Sequence, residues 1–161
     1  MARRRTARRT KLLQDLDREA RRTGSLGSLH GRALAERAGM HPTDFECVDV
    51  LDWTGPIPAG ELARRVGLTS GAITGVIDRL ERGGWVRRTS DPADRRRVIV
   101  ELLPEMPDGR RDDMLRYFLP LMEEMNEINE RYDDDQLDLV ADWLRRANDA
   151  IERSTARLRQ T

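Results

Sequence analysis

Apolar positions recur along this chain with two different periods, and the change of period marks out its architecture. Leu12, Leu13, Leu16 and Ala20 recur at helical spacing up to Gly24. A second helical stretch is expected from about Ser28 to Ala38, with Gly39 as its C-terminal stop. His41-Pro42-Thr43-Asp44 opens the next helix. Pro42 suits its first turn, Asp44 and Glu46 complement its dipole, and Phe45, Val48 and Leu51 mark its buried face. Thr54-Gly55-Pro56 ends it. A short helix over about 58–66, a turn at Gly67 and a helix over about 70–82 follow, closed by Gly83-Gly84. The period then drops to two. WVRRT reads as a strand, SDPADR as a turn and RRVIVEL as the returning strand, with Val98, Val100 and Leu102 on one buried face. Pro104 and Pro107-Asp108-Gly109 break the chain before two final helices, at about 110–131 and 134–159. Pro120 must kink the first of these or sit at a junction. The predicted order is α-α-α-α-α-β-β-α-α, mainly α with a small β-hairpin.

The stretch AGELARRVGLTSGAITGVID, Ala59 to Asp78, meets the packing needs of a helix-turn-helix. Two helices crossing steeply need a small residue at the crossing, and Ala63 stands there. The tight turn needs tolerance of positive φ, which Gly67 supplies. Leu62, Val66, Leu68, Ile73 and Val76 are placed to lock the two helices together. The alternative is a structural helical hairpin with no nucleic-acid partner, and the hairpin strands that follow favour the first reading. The second helix would then be the recognition helix. Its outward residues are Thr69, Ser70, Gly71, Thr74 and Gly75, with Asp78 and Arg79 further along. Thr69 or Ser70 can cap the helix and reach phosphate, and Thr74 can offer a hydroxyl or methyl to a base edge. Gly71 and Gly75 have no side chain to read bases and cost helix stability; either they are merely tolerated, or they let backbone approach a groove closely, and the second reading is preferred.

Charge sharpens this picture. The formal net charge is zero, yet the zero hides an asymmetry. From Glu61 to Val100 nine arginines face five acids, whereas from Glu101 to Thr161 nine arginines face sixteen. The middle of the chain can face a polyanion; the C-terminal third cannot. The hairpin tip, Asp91 to Arg97, ends in three consecutive arginines, Arg95, Arg96 and Arg97, a side chain suited to a narrow minor groove. Asp94 would repel phosphate there unless it serves something else. The expected service is an ion pair that aims the neighbouring arginine, against the alternative of a solvated turn.

The segment GELARRVGLTSGAITGVIDRLERGGWVRRTSDPADRRRVIVEL resembles the winged helix-turn-helix of the multiple-antibiotic-resistance regulator (MarR) family. The resemblance is specific in Asp78-Arg79-Leu80-Glu81 followed by Gly84, and in Asp91-Pro92-Ala93-Asp94-Arg95-Arg96. In layout it covers roughly Leu12 to Thr161. It implies that Asp94 and Arg96 match the family's Asp-x-Arg wing element. It also implies that the terminal helices interlock two chains, and that a small aromatic or acidic effector binds where the DNA-binding and dimer regions meet. Residues near that junction by chain position are His30, Met40, Phe45 and Trp53. One departure stands out: the return strand ends VIVELLPEMPDG, where the family more often has a Thr and a closing Gly, so the next helix is expected to start later or at another angle.

Three regions follow from this reading. Residues 1–38 would serve dimerisation, 39–104 would form the winged helix-turn-helix, and 105–161 would complete the dimer. The terminal helices, rich in Leu and Met, have too little domain to cover them, so a homodimer is expected. The expected function is that of a DNA-binding transcriptional regulator, a ligand-responsive repressor on an inverted-repeat operator. The runner-up is a winged-helix protein-interaction module whose arginines meet an acidic partner. Other chemistries lack support. His30 and His41 have no Cys or carboxylate at metal-ligand spacing, so no metal and no cofactor is expected. No nucleophile elbow, phosphate loop or dinucleotide fingerprint is present, so no enzyme is expected. No apolar run is long enough for a membrane span, and the basic start MARRRTARRTK lacks the apolar stretch of a secretion signal. The single Cys47 fits a reducing cytoplasm. It reads as a packing residue rather than a redox sensor, having no Lys or Arg within four positions.

Overall fold

The computed structural model describes residues 6–104 and 110–159. The chain divides into two compact units, 1–114 and 115–161.

In the first unit, α1 (Ala7–Arg37) is a single helix of 31 residues, capped by the Thr6 side chain, which accepts from the Arg9 N–H at 3.2 Å. The expected break at Gly24 is absent. Gly24, Gly27 and Gly31 each cost helix stability, but none has a turn to stop at. Ion pairs between Arg18 and Asp15, Arg21 and Asp17, and Arg22 and Glu19 support the turns before them. Only Leu34 and Ala35 near its C-terminal end are buried. Helix α2 (Pro42–Thr54) starts at His41, whose Nδ1 accepts from the Thr43 N–H at 3.2 Å, with Pro42 in the first turn. It buries Phe45, Cys47, Val48, Val50 and Leu51. Burial, then the neighbouring Glu46 and Asp44 carboxylates, push the Cys47 thiol from 9.0 to about 12, which leaves it protonated and inert.

After α2 comes β1 (Ile57–Pro58), which the pattern of the sequence does not reveal because two residues cannot show an alternation. Helices α3 (Ala59–Val66) and α4 (Ser70–Arg82) follow, then the hairpin β2 (Val86–Ser90) and β3 (Val98–Leu102). The three strands form an antiparallel sheet in the order β1-β3-β2, with Ile57 opposite Val100 and Arg88 also opposite Val100 on the other side. Pro58 has no N–H to give a ladder and so belongs on the edge strand it occupies. The core gathers where α2, α3, α4 and the sheet meet: Leu51, Leu62, Ile77, Leu80, Val86 and Val100 are almost wholly buried. Val98 departs from expectation. Val100 is buried and Leu102 half-buried, but Val98 is 43% exposed because β3 begins beyond the edge of the core.

The second unit holds the described side chains of α5 (Arg110–Asn129) from Arg116 onward and all of α6 (Asp134–Leu158). Pro120 lies inside α5, so it marks no junction between helices. Helix α6 opens on a reciprocal cap in which Asp133 accepts from the Gln136 N–H at 2.9 Å and Gln136 accepts from the Asp133 N–H at 3.1 Å. No residue of α6 is buried. The Pro107-Asp108-Gly109 break lies outside the described residues.

Candidate nucleic-acid interface

The two helices expected to form the helix-turn-helix do so, and the turn shows why. Gly67 takes a left-handed conformation, φ 73° and ψ 26°, which an L side chain would strain. The Leu68 N–H then reaches back to the Ala63 carbonyl at 2.8 Å. Ala63 and Leu62 are buried at the crossing, and Ile73 and Val76 close it from α4. Thr69 caps α4, its hydroxyl oxygen accepting from the Ala72 N–H at 3.3 Å.

This packing fixes which side of α4 is left over. Thr69, Ser70, Gly71 and Thr74 are exposed, and Gly75 is half-exposed. Thr74 spends its hydroxyl proton on the Ser70 carbonyl at 3.0 Å, so a partner would meet its methyl and its oxygen lone pairs. A Cβ built on Gly71 would meet nothing within 4 Å, so no neighbour in the chain requires a glycine there.

Arg79 is held differently from the rest. Its guanidinium grips Asp44 of α2 with both arms, Nε at 2.9 Å and Nη2 at 2.5 Å. Asp44 is 7% exposed, the one buried charged residue of the described core. The hydrogen bond to that carboxylate raises the Arg79 pKa. The group is a strut between α2 and the recognition helix, and 47% of its side chain still faces solvent.

The wing is an ordered turn. The Asp91 N–H reaches the Arg97 carbonyl at 3.1 Å, and the Arg97 N–H reaches the Asp94 carbonyl at 2.9 Å. Asp91 Oδ1 accepts from the Ala93 N–H at 2.8 Å, and Asp94 Oδ1 from the Arg96 N–H at 3.0 Å. This corrects the role expected of Asp94: its carboxylate forms no ion pair among the described residues and instead folds the backbone that carries Arg96. The ion pair of the tip joins Asp91 and Arg97 at 3.7 Å. At the wing's base, Arg87 and Glu101 stand opposite each other in the ladder and pair at 2.7 Å, which pins the register.

The fate of the nine arginines between Glu61 and Val100 is the informative result. Arg64 and Arg65 pair with Glu61, Arg79 with Asp44, Arg87 with Glu101, Arg88 with Asp78 and Glu81, and Arg97 with Asp91. Arg82 bonds the Asp78 carbonyl at 3.2 Å. Arg95 and Arg96 remain, exposed at the wing tip and engaged by no carboxylate among the described residues. Sequence reasoning counted the surplus charge but did not see that pairing within the described residues leaves Arg95 and Arg96 side by side without a carboxylate, while Arg82 meets only a carbonyl.

Of the residues proposed near an effector, Met40 and Trp53 lie apart from the groove that Phe45 lines. A groove of about 430 Å³ lies between α1 and α2, lined by Gly27, Ser28, Gly31, Arg32, Phe45 and Asp49, among others. Phe45 belongs to it. Met40 instead packs against the main core, and Trp53 lies 60% exposed with the Arg65 guanidinium 5.1 Å from its ring centre. His30 is half-buried on α1.

A helix-turn-helix followed by a hairpin whose free arginines stand at its tip defines a winged-helix, DNA-binding class of protein. The sequence model of the MarR family matches residues 32–98. The HTH-type transcriptional regulator YcgE of Bacillus subtilis is 36% identical over 140 residues, spanning 87% of this chain and 88% of that one. Among solved structures, a MarR family protein from Bacillus stearothermophilus has the same fold at a TM-score of 0.59 and 20% identity, covering 88% of this chain and 96% of that one. So does Sco3205 of Streptomyces coelicolor, a MarR family regulator solved in complex with DNA, at a TM-score of 0.54 and 22% identity over 91% of this chain and 92% of that one. The chain belongs to the MarR family and is a transcriptional regulator, not an enzyme.

Proposed function

We propose that the protein is a homodimeric, ligand-responsive repressor that binds an inverted-repeat operator in the cytoplasm. Each recognition helix would enter a major groove through Thr69, Ser70, Gly71, Thr74 and Gly75, while Arg95 and Arg96 engage the adjacent minor groove or its phosphates. Asp94 shapes the wing backbone, and Arg79 braces the helix from behind with its exposed edge near the phosphates. The observation that carries this reading is the wing tip: six arginines of the segment are matched to carboxylates, whereas the adjacent Arg95 and Arg96 at the tip meet none among the described residues. A protein-interaction module would use such a tip against an acidic surface. The exposed small residues at the start of α4 favour a groove instead, since they leave room for close backbone approach.

The dimer is supported by uncovered apolar side chains. Leu12, Leu16, Leu26 and Leu29 on α1 are exposed, as are Leu121, Met122 and Met125 on α5 and Val140, Trp143 and Leu144 on α6. A second copy is the simplest cover for so much apolar surface on the terminal helices. The effector reading rests on the α1–α2 groove, where Phe45 offers an aromatic wall and Arg32 a cation for a small aromatic acid, with His30 beside the groove-lining Gly31; Met40 and Trp53 would act on it only indirectly.

The deciding experiment is footprinting on a duplex selected by the protein from random sequence. A protected stretch with internal two-fold symmetry, its half-sites about one helical turn apart, is expected. Protection of a direct repeat, or of a single half-site at saturation, refutes the inverted-repeat dimer. Duplex binding insensitive to salt refutes the nucleic-acid reading itself.

A further inference from the structure

Arg88 lies on β2 with 28% of its side chain exposed, and it meets two carboxylates of α4. One arm of its guanidinium bonds Asp78, the other bonds Glu81, and Nη2 also approaches the Thr74 carbonyl at 3.4 Å. Its backbone N–H donates to Glu81 Oε1 at 3.2 Å. Thr74, Asp78 and Glu81 are spaced four and three residues apart, so they form one stripe along two turns of α4. A single strand residue is thus fastened to the recognition helix at three successive levels. The motif Asp78-Arg79-Leu80-Glu81 then has a division of labour. Asp78 and Glu81 hold the wing, Arg79 holds α2, and Leu80 fills the core.

We infer that Arg88 is a positioning residue: it makes no DNA contact, and it locks the wing to the recognition helix so that base reading and wing contact act as one rigid unit. This rests on the DNA-binding reading above. Three physical points support it. The two carboxylates outnumber the one guanidinium, so the cluster carries a net negative charge and does not attract phosphate. The planar fork of Arg can serve two carboxylates and a carbonyl at once, a geometry Lys cannot reproduce. The rest of the link between α4 and the wing is the short Gly83-Gly84 connection and the shared apolar core of Ile77, Leu80, Trp85, Val86 and Val100, which sets no polar register along the helix.

The test is a pair of variants measured on two DNAs, a duplex selected by the parent protein and a random duplex, across a range of salt. Arg88→Gln with Glu81→Gln removes one charge of each sign and leaves net charge unchanged. A positioning role predicts that the ratio of selected to random affinity falls about tenfold, the scale of a coupled pair, with the salt slope unchanged. A phosphate contact predicts instead a slope shallower by about 0.9 per subunit and equal losses on both DNAs. Asp78→Asn with Glu81→Gln frees Arg88 and deletes two negative charges. Positioning predicts lost discrimination there too, whereas a phosphate contact predicts tighter binding to both DNAs. Circular dichroism confirms that each variant is folded. Amide hydrogen exchange in β2 and β3, read without DNA, should quicken in both variants while exchange in α2 holds. Unaltered exchange in the hairpin, or an unaltered affinity ratio in a folded variant, overturns the inference. If the parent binds no duplex at all, the functional reading fails instead, and hydrogen exchange alone judges the clamp.

Discussion

Replacing Asp94 separates two things that its carboxylate does. It bears a negative charge in a loop proposed to face phosphates, and its Oδ1 accepts the Arg96 N–H at 3.0 Å. The charge opposes binding. At roughly 10 Å from a phosphate in water, two unit charges repel by about 0.4 kcal/mol before salt screens them. The hydrogen bond favours binding because it pre-folds the tip, and such a bond is worth about 1 kcal/mol net. Asp94→Asn keeps an amide oxygen able to accept from Arg96 and removes the charge. Two wings per dimer should then gain about 0.8 kcal/mol, or roughly fourfold tighter binding. Asp94→Ala removes both, so each wing loses about 0.6 kcal/mol and the dimer binds roughly eightfold more weakly. The assay is fluorescence anisotropy on one labelled duplex, at the lowest salt at which binding stays measurable. Equal effects of the two substitutions, in either direction, would refute the reasoning, because the backbone bond would then contribute nothing. Tighter binding by Asp94→Ala would make the wing a flexible basic loop.

Arg96→Ala should flatten the log-log salt dependence by about 1.8 for two wings and weaken specific and random DNA alike, as measured by titration at several ionic strengths. Gly71→Ala meets no neighbour in the chain, so it should stabilise α4 by about 0.5–1 kcal/mol and raise Tm while weakening operator binding; unchanged affinity would show that the backbone does not approach DNA there. Arg79→Gln should lower Tm, because buried Asp44 loses its cationic partner, yet leave the salt slope nearly unchanged; a clearly flatter slope would make Arg79 a phosphate contact first. The Cys47 thiol is raised in the folded state, so the unfolded chain loses its proton first as pH climbs. Stability from this group should therefore hold below the ordinary thiol value of 9.0 and decline up to about 12, a decline that Cys47→Ala would abolish in pH-dependent denaturant titrations.

The helices from Pro42 onward were legible because each has a stop or a cap written in its residues: Pro42 at one start, Gly67 at the turn, Gly83-Gly84 at an end. Helix α1 was misread because Gly24 looks like such a stop, although no capping geometry accompanies it and the flanking ion pairs carry the helix through. Strand β1 was invisible because its identity comes from its partner: Ile57 is a strand residue only because Val100 lies opposite. Which side of α4 is exposed was legible from the periodicity of its apolar residues. The electrostatics were not, since a count of charges cannot say which ones meet. Asp44 and Arg79 are 35 positions apart, and nothing local pairs them. Arg88 with Asp78 and Glu81 had a weak signal, two acids on one helical stripe ahead of a basic strand. The tip of the wing was misassigned because Asp94 has two possible partners, a guanidinium and a backbone N–H, and the tighter loop wins.

The absence of a joint in α1 carries a mechanical consequence. At 1.5 Å per residue a helix of 31 residues is a rod of about 46 Å, and only Leu34 and Ala35 near one end are sunk into the winged unit. A small tilt at that anchored end sweeps the far end, with Leu12 and Leu16, through several times the distance. The lever also works in reverse: wherever those leucines are gripped, the grip bears on α2, and from α2 through Asp44 on α4, the helix proposed to read DNA.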